Sequence, residues 1–478
     1  MSEAAVHLAV DLGAESGRVI AGIVEGDRVT LEELHRFPNG VHHFADSLRW
    51  DVVRLWDDIQ HGLALAAKRF GDRVRTVGVD TWGVDFVLLS ENRELLGQPY
   101  CYRDDRNEGA IEAVCGVIPK EEIYAVTGLQ FMQINSLMQL HAAKSQTPEL
   151  IDNARRFLMM ADFFHWLLGG HEGVEFTNGT TSQLIDAQSR TFSPKLLEAF
   201  GLDGSIFPDV VEPGSDLGPL RPDVAKRSGL PAHVRVVAPP THDTASAVVA
   251  VPTDRTGHRD WAYISSGTWS LIGVETDRPH LGQDALALNL TNEGGVDGTT
   301  RLLKNVMGLW LVQGIKQSAE RAGRDLDYAA LNEQARAAEA GRTLIDCDDP
   351  RLLAPDDMAA AIQAVAQDAG QPVPETDGQL VRCALESLAK KYAEVLRGIE
   401  GVTGTKCEVL HIVGGGSQSA LLNELTAAAC GIPVVAGPVE ATALGNVLTQ
   451  ARSTGTVRDL AHARQIVRAS CEPVRIDP

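Results

Sequence analysis

The chain opens on an apolar run, Val6 to Val10, breaks at the polar, glycine-containing stretch Asp11 to Arg18, and resumes with Val19 to Val24. Two short apolar runs about a Gly/Ser turn predict a β-hairpin. The same design returns half a chain later, where Trp261–Ile264 leads into Ser265-Ser266-Gly267-Thr268 and Trp269–Val274 leads away. Between them, Val74–Asp80 and Asp85–Leu89 predict two more strands, joined through Thr81-Trp82-Gly83. Nearer the C-terminus, Val381, Ala384, Leu385, Leu388, Tyr392, Val395 and Leu396 recur at helical spacing. Thr376 and Gln379 ahead of them have the spacing of a capping box. Val409–Val413 predicts a buried strand that runs into Gly414-Gly415-Gly416-Ser417. A helix carrying Leu421, Leu422, Leu425 and Ala428 follows, and Gly431-Ile432-Pro433 ends it.

The repeated strand, Gly/Ser turn and strand predict two structurally related α/β halves. The polar stretch 252–260 contains Pro and Gly and is the natural linker, so the boundary is placed after Val251. A length of 478 residues accommodates two such halves, each long enough for its own core. No apolar run approaches the roughly 18 residues needed to span a bilayer. The N-terminus has no basic segment ahead of its short apolar stretch, so a cytoplasmic protein is expected.

Charge narrows the partners. With 43 Lys+Arg against 64 Asp+Glu the net charge is −21, which disfavours nucleic acid, whose phosphates are held by clustered cations. A phosphorylated ligand would instead need backbone N–H groups and a metal ion. The seven cysteines contain no C-x-x-C pair, and free buried thiols are expected rather than a zinc site or disulfides.

Several common chemistries drop out. There is no G-x-x-x-x-G-K-[ST], and both G-x-G-x-x-G and G-x-S-x-G fail after Val413 because Ser419 stands where each needs its final glycine. There is no H-E-x-x-H. What remains is three Gly/Ser turns, each after a short apolar strand. Such turns expose consecutive N–H groups, and glycine lets a phosphate come close. Asp11, at the end of the first strand, could hold Mg²⁺ directly or through water. In Pro239-Pro240-Thr241-His242-Asp243-Thr244-Ala245, Asp243 has two readings. It is either the cap of a small-residue helix or a general base for a hydroxyl, with His242 in a positioning role.

Together these residues resemble the FGGY carbohydrate kinases of the actin/Hsp70/hexokinase-like ATPase superfamily. The likeness rests on Asp11 to Arg18, Ser265 to Ser270 and Val413 to Ser417, and on six further stretches. These are Gly78 to Phe86, Tyr102-Arg103-Asp104, His242 to Ala247, Thr291 to Gly295 with Leu303 to Trp310, and Gly437 to Ala441. The resemblance implies an α/β chain with two ribonuclease H-like (actin/hexokinase-type ATPase) domains and an interdomain active-site cleft. Residues 1–251 would bind sugar and phosphate, and 252–478 nucleotide. Ala14, Glu15, Ser16, Gly17 and Arg18 would line the ATP phosphates, and Thr268, Asn305, Gln313 and Gly415 would complete the nucleotide site. Glu15 departs from the small polar residue usual in that turn. Its charge would repel phosphate, so it is expected to point outward or meet the metal. Gly83, His242, Asp243 and Thr244 would contact the sugar, with Asp243 as proton acceptor. Asn305 and Gln313, about two helical turns apart, are expected on one helix face. The implied activity is ATP-dependent phosphorylation of L-rhamnulose at its 1-hydroxyl, with Mg²⁺, by a monomer or homodimer that binds neither membrane nor nucleic acid. L-fuculose, xylulose or a related polyol is the alternative substrate, and a non-enzymatic actin-like ATPase the alternative class.

Overall fold

The computed structural model describes residues 4–478, which form two compact units. The first comprises residues up to Thr256, Glu275–Leu302 and Glu440–Cys471, and the second Gly257–Val274, Leu303–Val439 and the C-terminal Glu472–Pro478.

The first unit is built on a six-stranded sheet in the order Asp216–Pro219, Arg235–Val237, Val74–Thr81, Val6–Leu12, Ser16–Glu25, Arg28–Pro38. Val6–Leu12 is buried along its whole length, its polar His7 and Asp11 included, so its apolar residues do not alternate with exposed ones. It pairs antiparallel with Ser16–Glu25 and parallel with Val74–Thr81. The helix Val52–Phe70 covers one face with Val52, Leu55, Ile59, Leu63 and Ala66, a stripe at helical spacing, and its cap Asp51 accepts from the N–H of Arg54. The helix Ala441–Ser453 packs on Val6–Leu12 and Val74–Thr81 and against the helix Asp243–Val249. Those two helices touch backbone to backbone: a Cβ at Gly445 would lie 1.7 Å from the carbonyl oxygen of Ser246, so only glycine fits.

In the second unit the hairpin recurs. Trp261–Ser266 pairs antiparallel with Trp269–Thr276 and parallel with Val409–Val413, which continues through Val434–Ala436 to Val474–Ile476. The expected duplication is therefore present at the level of one antiparallel and one parallel neighbour for the first strand of each unit. The long helix Asp377–Thr403 starts with the expected capping box, the Thr376 hydroxyl accepting from Gln379 N–H and the Gln379 side chain accepting from Thr376 N–H. It ends at Gly404, in the left-handed conformation.

One expectation is corrected. Asn305 and Gln313 do not share a helix: Asn305 lies on the strand Thr300–Met307 and Gln313 on the helix Trp310–Arg321. Gly308 separates the two elements, and its N–H and that of Trp310 both turn to the carbonyl of Thr268. The place of Thr300–Met307 in the seven-stranded sheet overrides the helical spacing of the two polar residues.

All seven cysteines are free. Among the described residues no helix is long and apolar enough to cross a membrane.

Candidate active site

Register sets the first cluster. At the end of Val6–Leu12, Asp11 is paired with Arg18 on one side and with Asp80 on the other. Arg18 donates from Nη2 to Asp11 Oδ2 at 2.5 Å and from Nη1 to Glu440 Oε2 at 2.5 Å. Burial works against the guanidinium charge, but the two carboxylates more than offset it and hold its pKa above the ordinary arginine value. The turn between Asp11 and Arg18 is pinned by Gly13 N–H to Ser16 carbonyl (2.9 Å) and by Asn39, which donates from its backbone to Glu15 and from its side chain to Gly13. Ala14 and Ser16 are half-buried, Glu15 is exposed, and Gly17 is buried against the Phe37 ring.

Asp80 is completely buried. Its Oδ2 accepts from Asn446 Nδ2 at 2.5 Å, and its Oδ1 has no hydrogen-bond partner among the described residues. Burial first, then the Asp11 charge, then Asp243, push its pKa well above the carboxylate range, against the Asn446 hydrogen bond and Arg18.

The sugar-site candidates come together through backbone stitching. Thr81 N–H donates to the Thr241 carbonyl at 2.9 Å, and Asn178 Nδ2 reaches Thr81 Oγ1, the Trp82 carbonyl and the Thr241 carbonyl. Buried Glu175 accepts from the backbone and hydroxyl of both Thr177 and Thr241, fixing the approach to His242. Gly83 is half-buried against Thr181, whose Oγ1 accepts from Val84 N–H. Val84 has φ +67°, a costly conformation for a β-branched residue. Its carbonyl accepts from Ser136 Oγ. Next to it Asp85 is buried and accepts from Trp50 Nε1 (2.6 Å), Trp82 Nε1 (2.9 Å), Gln139 Nε2 (2.9 Å) and Tyr102 N–H. Burial still pushes its pKa up to about 6.

Asp243 is the first residue of its helix and His242 is the cap, so the carboxylate does not occupy the cap position itself. Its Oδ1 accepts from the N–H of Thr244 at 2.5 Å and from the Thr244 hydroxyl at 3.3 Å. Burial raises its pKa, His242 opposes the rise, and Asp11 adds to it. The carboxylate is a third exposed, accessible to a ligand yet less solvated than a surface acid. His242 Nε2 lies 3.5 Å from Asp243 Oδ1, and its Nδ1 lies 3.1 Å from Glu293 Oε2.

In the second unit, the nucleotide candidates gather about the turn after Trp261–Ser266. Gly267 accepts from Leu309 N–H, and Thr268 from Gly308 and Trp310. This ties half-buried Thr268 to the start of the helix that carries Gln313, whose buried Oε1 has no hydrogen-bond partner among the described residues. Gly414, at φ +85°, opens the tight turn before Gly415–Gln418; a Cβ at Gly416 would collide with Ser266, whereas one at Gly415 would meet nothing within 4 Å. Gly415 thus borders open space.

Four participants were not identified as site residues from sequence: Asp80, Glu440, Glu293 and Arg301. Asp80, Glu440 and Glu293 lie inside the stretches that carry the family likeness, but only pairing register and chain-distant packing place them beside Asp11, Arg18 and His242.

The first unit thus brings together a carboxylate at a helix start with an imidazole behind it, a strand-end acidic pair and a pinned Gly/Ser turn. Residues 6–250 match the N-terminal domain of the FGGY family of carbohydrate kinases, and residues 262–454 match its C-terminal domain. The chain belongs to the FGGY family of carbohydrate kinases. It is 45% identical over 463 residues to a rhamnulokinase of Bacteroides thetaiotaomicron, covering 97% of this chain and 93% of that one. It is 40% identical to a rhamnulokinase of Oceanobacillus iheyensis, covering 97% and 96%. Its fold matches a ligand-bound xylulose kinase from Lactobacillus acidophilus with a TM-score of 0.80 at 15% identity, covering 99% of this chain and 94% of that one. A Plasmodium falciparum glycerol kinase with ADP gives 0.78 at 14% identity, covering 98% and 94%. The two-domain ribonuclease H-like, actin/hexokinase-type fold is thus shared.

Proposed function

We propose that the protein transfers the γ-phosphoryl group of ATP to the 1-hydroxyl of L-rhamnulose, giving L-rhamnulose 1-phosphate in the cytoplasmic breakdown of L-rhamnose. The observation that carries this reading is the near full-length match to relatives named rhamnulokinase, at 40% and 45% identity. Residues 1–251 serve sugar and phosphate binding, and residues 252–478 nucleotide binding.

Asp243 orients the sugar hydroxyl and takes its proton as the oxygen attacks phosphorus in line with the departing ADP. Burial raises the pKa of this carboxylate, which makes it a stronger base than a surface acid. His242, Thr244 and Gly83 hold the sugar, the last leaving room for it to approach the backbone. Ala14 to Arg18 line the phosphates. Thr268, Asn305, Gln313 and Gly415 complete the nucleotide site, with the open space over Gly415 in keeping with a ligand lying across it.

The residues present fit Mg²⁺ that arrives with ATP. Asp11 and the orphaned Oδ1 of Asp80 offer carboxylate oxygens side by side, the donor type a hard cation prefers. Among the described residues no group of three or more His, Cys, Asp or Glu could hold an ion unaided, in keeping with an ion that brings phosphate and water ligands of its own. Asp11 would hold it, and the ion would neutralise charge on the phosphates. Arg18 meanwhile keeps Asp11 in place from the opposite strand.

An ADP-release assay on L-rhamnulose, L-fuculose, xylulose and glycerol tests the reading. Turnover highest on L-rhamnulose supports it. Higher turnover on another sugar replaces the substrate, and no ATP-dependent turnover on any of them contradicts the activity.

A further inference from the structure

His242 is held from behind by two residues more than fifty positions away. Arg301 is 1% exposed and donates from Nε to the Gly294 carbonyl at 2.8 Å and from Nη2 to Glu293 Oε2 at 3.0 Å. The same Nη2 stands 3.3 Å from His242 Nδ1, and Glu293 Oε2 stands 3.1 Å from it. Glu293 is itself buried. A buried carboxylate is costly unless paired, and its partners here include one guanidinium and one imidazole. Nδ1 faces this pair, and the other ring nitrogen, Nε2, lies 3.5 Å from Asp243 Oδ1. Three chain-distant pieces, residues 242–243, 293–294 and 301, thus form one line: Arg301, Glu293, His242, Asp243.

We propose that Glu293, clamped by Arg301, is a positioning residue that fixes the tautomer and orientation of the His242 imidazole against the Asp243 carboxylate. The inference rests on Asp243 being the proton acceptor. With Nδ1–H donated to Glu293, Nε2 is the nitrogen left to meet Asp243. As the sugar O–H bond breaks and the O–P bond forms, the proton passes to Asp243, and Nε2 is placed to accept a hydrogen bond from the newly protonated carboxyl. ADP carries away the electron pair of the broken P–O bond, so the step needs no further reactant. The logic is that of an acid–imidazole–carboxylate line in which the rearmost group acts only through the ring.

The test is a double-mutant cycle on the full-length enzyme, using whichever sugar the wild type phosphorylates best, so that an error in the substrate reading does not decide it. Glu293→Gln keeps the shape but removes the charge. It should lower kcat on the order of 10–100-fold, leave the KM for ATP unchanged, and have almost no further effect once His242→Asn is present. Multiplying effects of the two substitutions, or a Glu293→Gln enzyme with unaltered kcat, would overturn the proposal. Because Glu293→Gln leaves buried Arg301 without its counter-charge and the variant could misfold, Glu293→Asp serves as the second variant. It keeps the charge but shortens the reach, and should restore stability without restoring kcat. A structural readout stands apart from activity: the ¹⁵N resonances of His242, assigned by their loss in His242→Asn. Glu293→Asp should shift the Nδ1 signal of the sugar-free protein, whereas an unmoved signal would overturn the inference even if the enzyme's substrate were wrongly assigned.

Discussion

Asp11 and Asp80 stand at the same level of two neighbouring parallel strands, so their carboxyl groups emerge side by side on one face of the sheet. Asp11 has Arg18 to balance it, whereas Asp80 is wholly buried with one oxygen unpartnered. Two acids in this relation repel unless a proton or a cation joins them, so the ligand-free protein carries stored electrostatic cost at the place where phosphate chemistry is proposed. Asp80→Asn should therefore raise the ligand-free melting temperature by about 1–3 °C while lowering turnover at limiting Mg²⁺. Differential scanning calorimetry and a Mg²⁺ titration check the two halves. A destabilised variant with full activity would mean that Asp80 serves the fold alone.

Asp11→Ala should raise the Mg²⁺ concentration needed for half-maximal rate and depress turnover, since it removes the proposed ligand and leaves Arg18 with Glu440 as its remaining carboxylate. Steady-state rates across a Mg²⁺ series measure this. Full activity at ordinary Mg²⁺ would remove Asp11 from the site.

Asp85 gives a pH signature of stability. Its folded pKa of about 6 lies above the ordinary 3.8, so the native state holds this proton more tightly than the unfolded chain. The stabilisation is fully present below pH 3.8 and is lost as pH rises through about 6, on the order of 3 kcal/mol in all. Urea unfolding of wild type and Asp85→Asn between pH 4 and 7 should show the wild type losing ground to the variant as pH rises. A constant difference between the two would contradict the assignment.

Gly415→Val should fold normally, because a Cβ there meets nothing within 4 Å. Its effect should fall on the nucleotide: a KM for ATP raised by about tenfold or more, equivalent to about 1.4 kcal/mol, with the KM for sugar little changed. Equal KM for ATP in both proteins would place the nucleotide elsewhere.

Much of this was readable in the sequence. The two hairpins, the strand before Gly414, the capping box at Thr376 and Gln379 and the helix after His242 all follow from local apolar spacing and turn chemistry. Spacing alone does not separate Asn305 from Gln313, because eight residues also span a strand end, a glycine break and a first helical turn. Asp80, Glu293 and Arg301 were not seen as site residues for a different reason. Nothing local marks a buried acid as the neighbour of Asp11 or His242. Asp80 gains its meaning from strand register, and Glu293 from a packing contact with a segment about fifty residues earlier. The discontinuous first unit was hidden likewise, because Glu275–Leu302 and Glu440–Cys471 join it through packing that no sequence period encodes.

The most direct measurement is the turnover of Asp243→Asn on L-rhamnulose beside the wild type. Asparagine keeps the shape and can still accept from Thr244 N–H and meet the sugar hydroxyl, but it cannot take a proton. The account predicts a folded variant whose kcat falls on the order of 10²–10⁴-fold while its KM for L-rhamnulose changes little. A folded Asp243→Asn enzyme within a few-fold of wild-type kcat would contradict it, and Asp243 would then be no more than a helix-start residue.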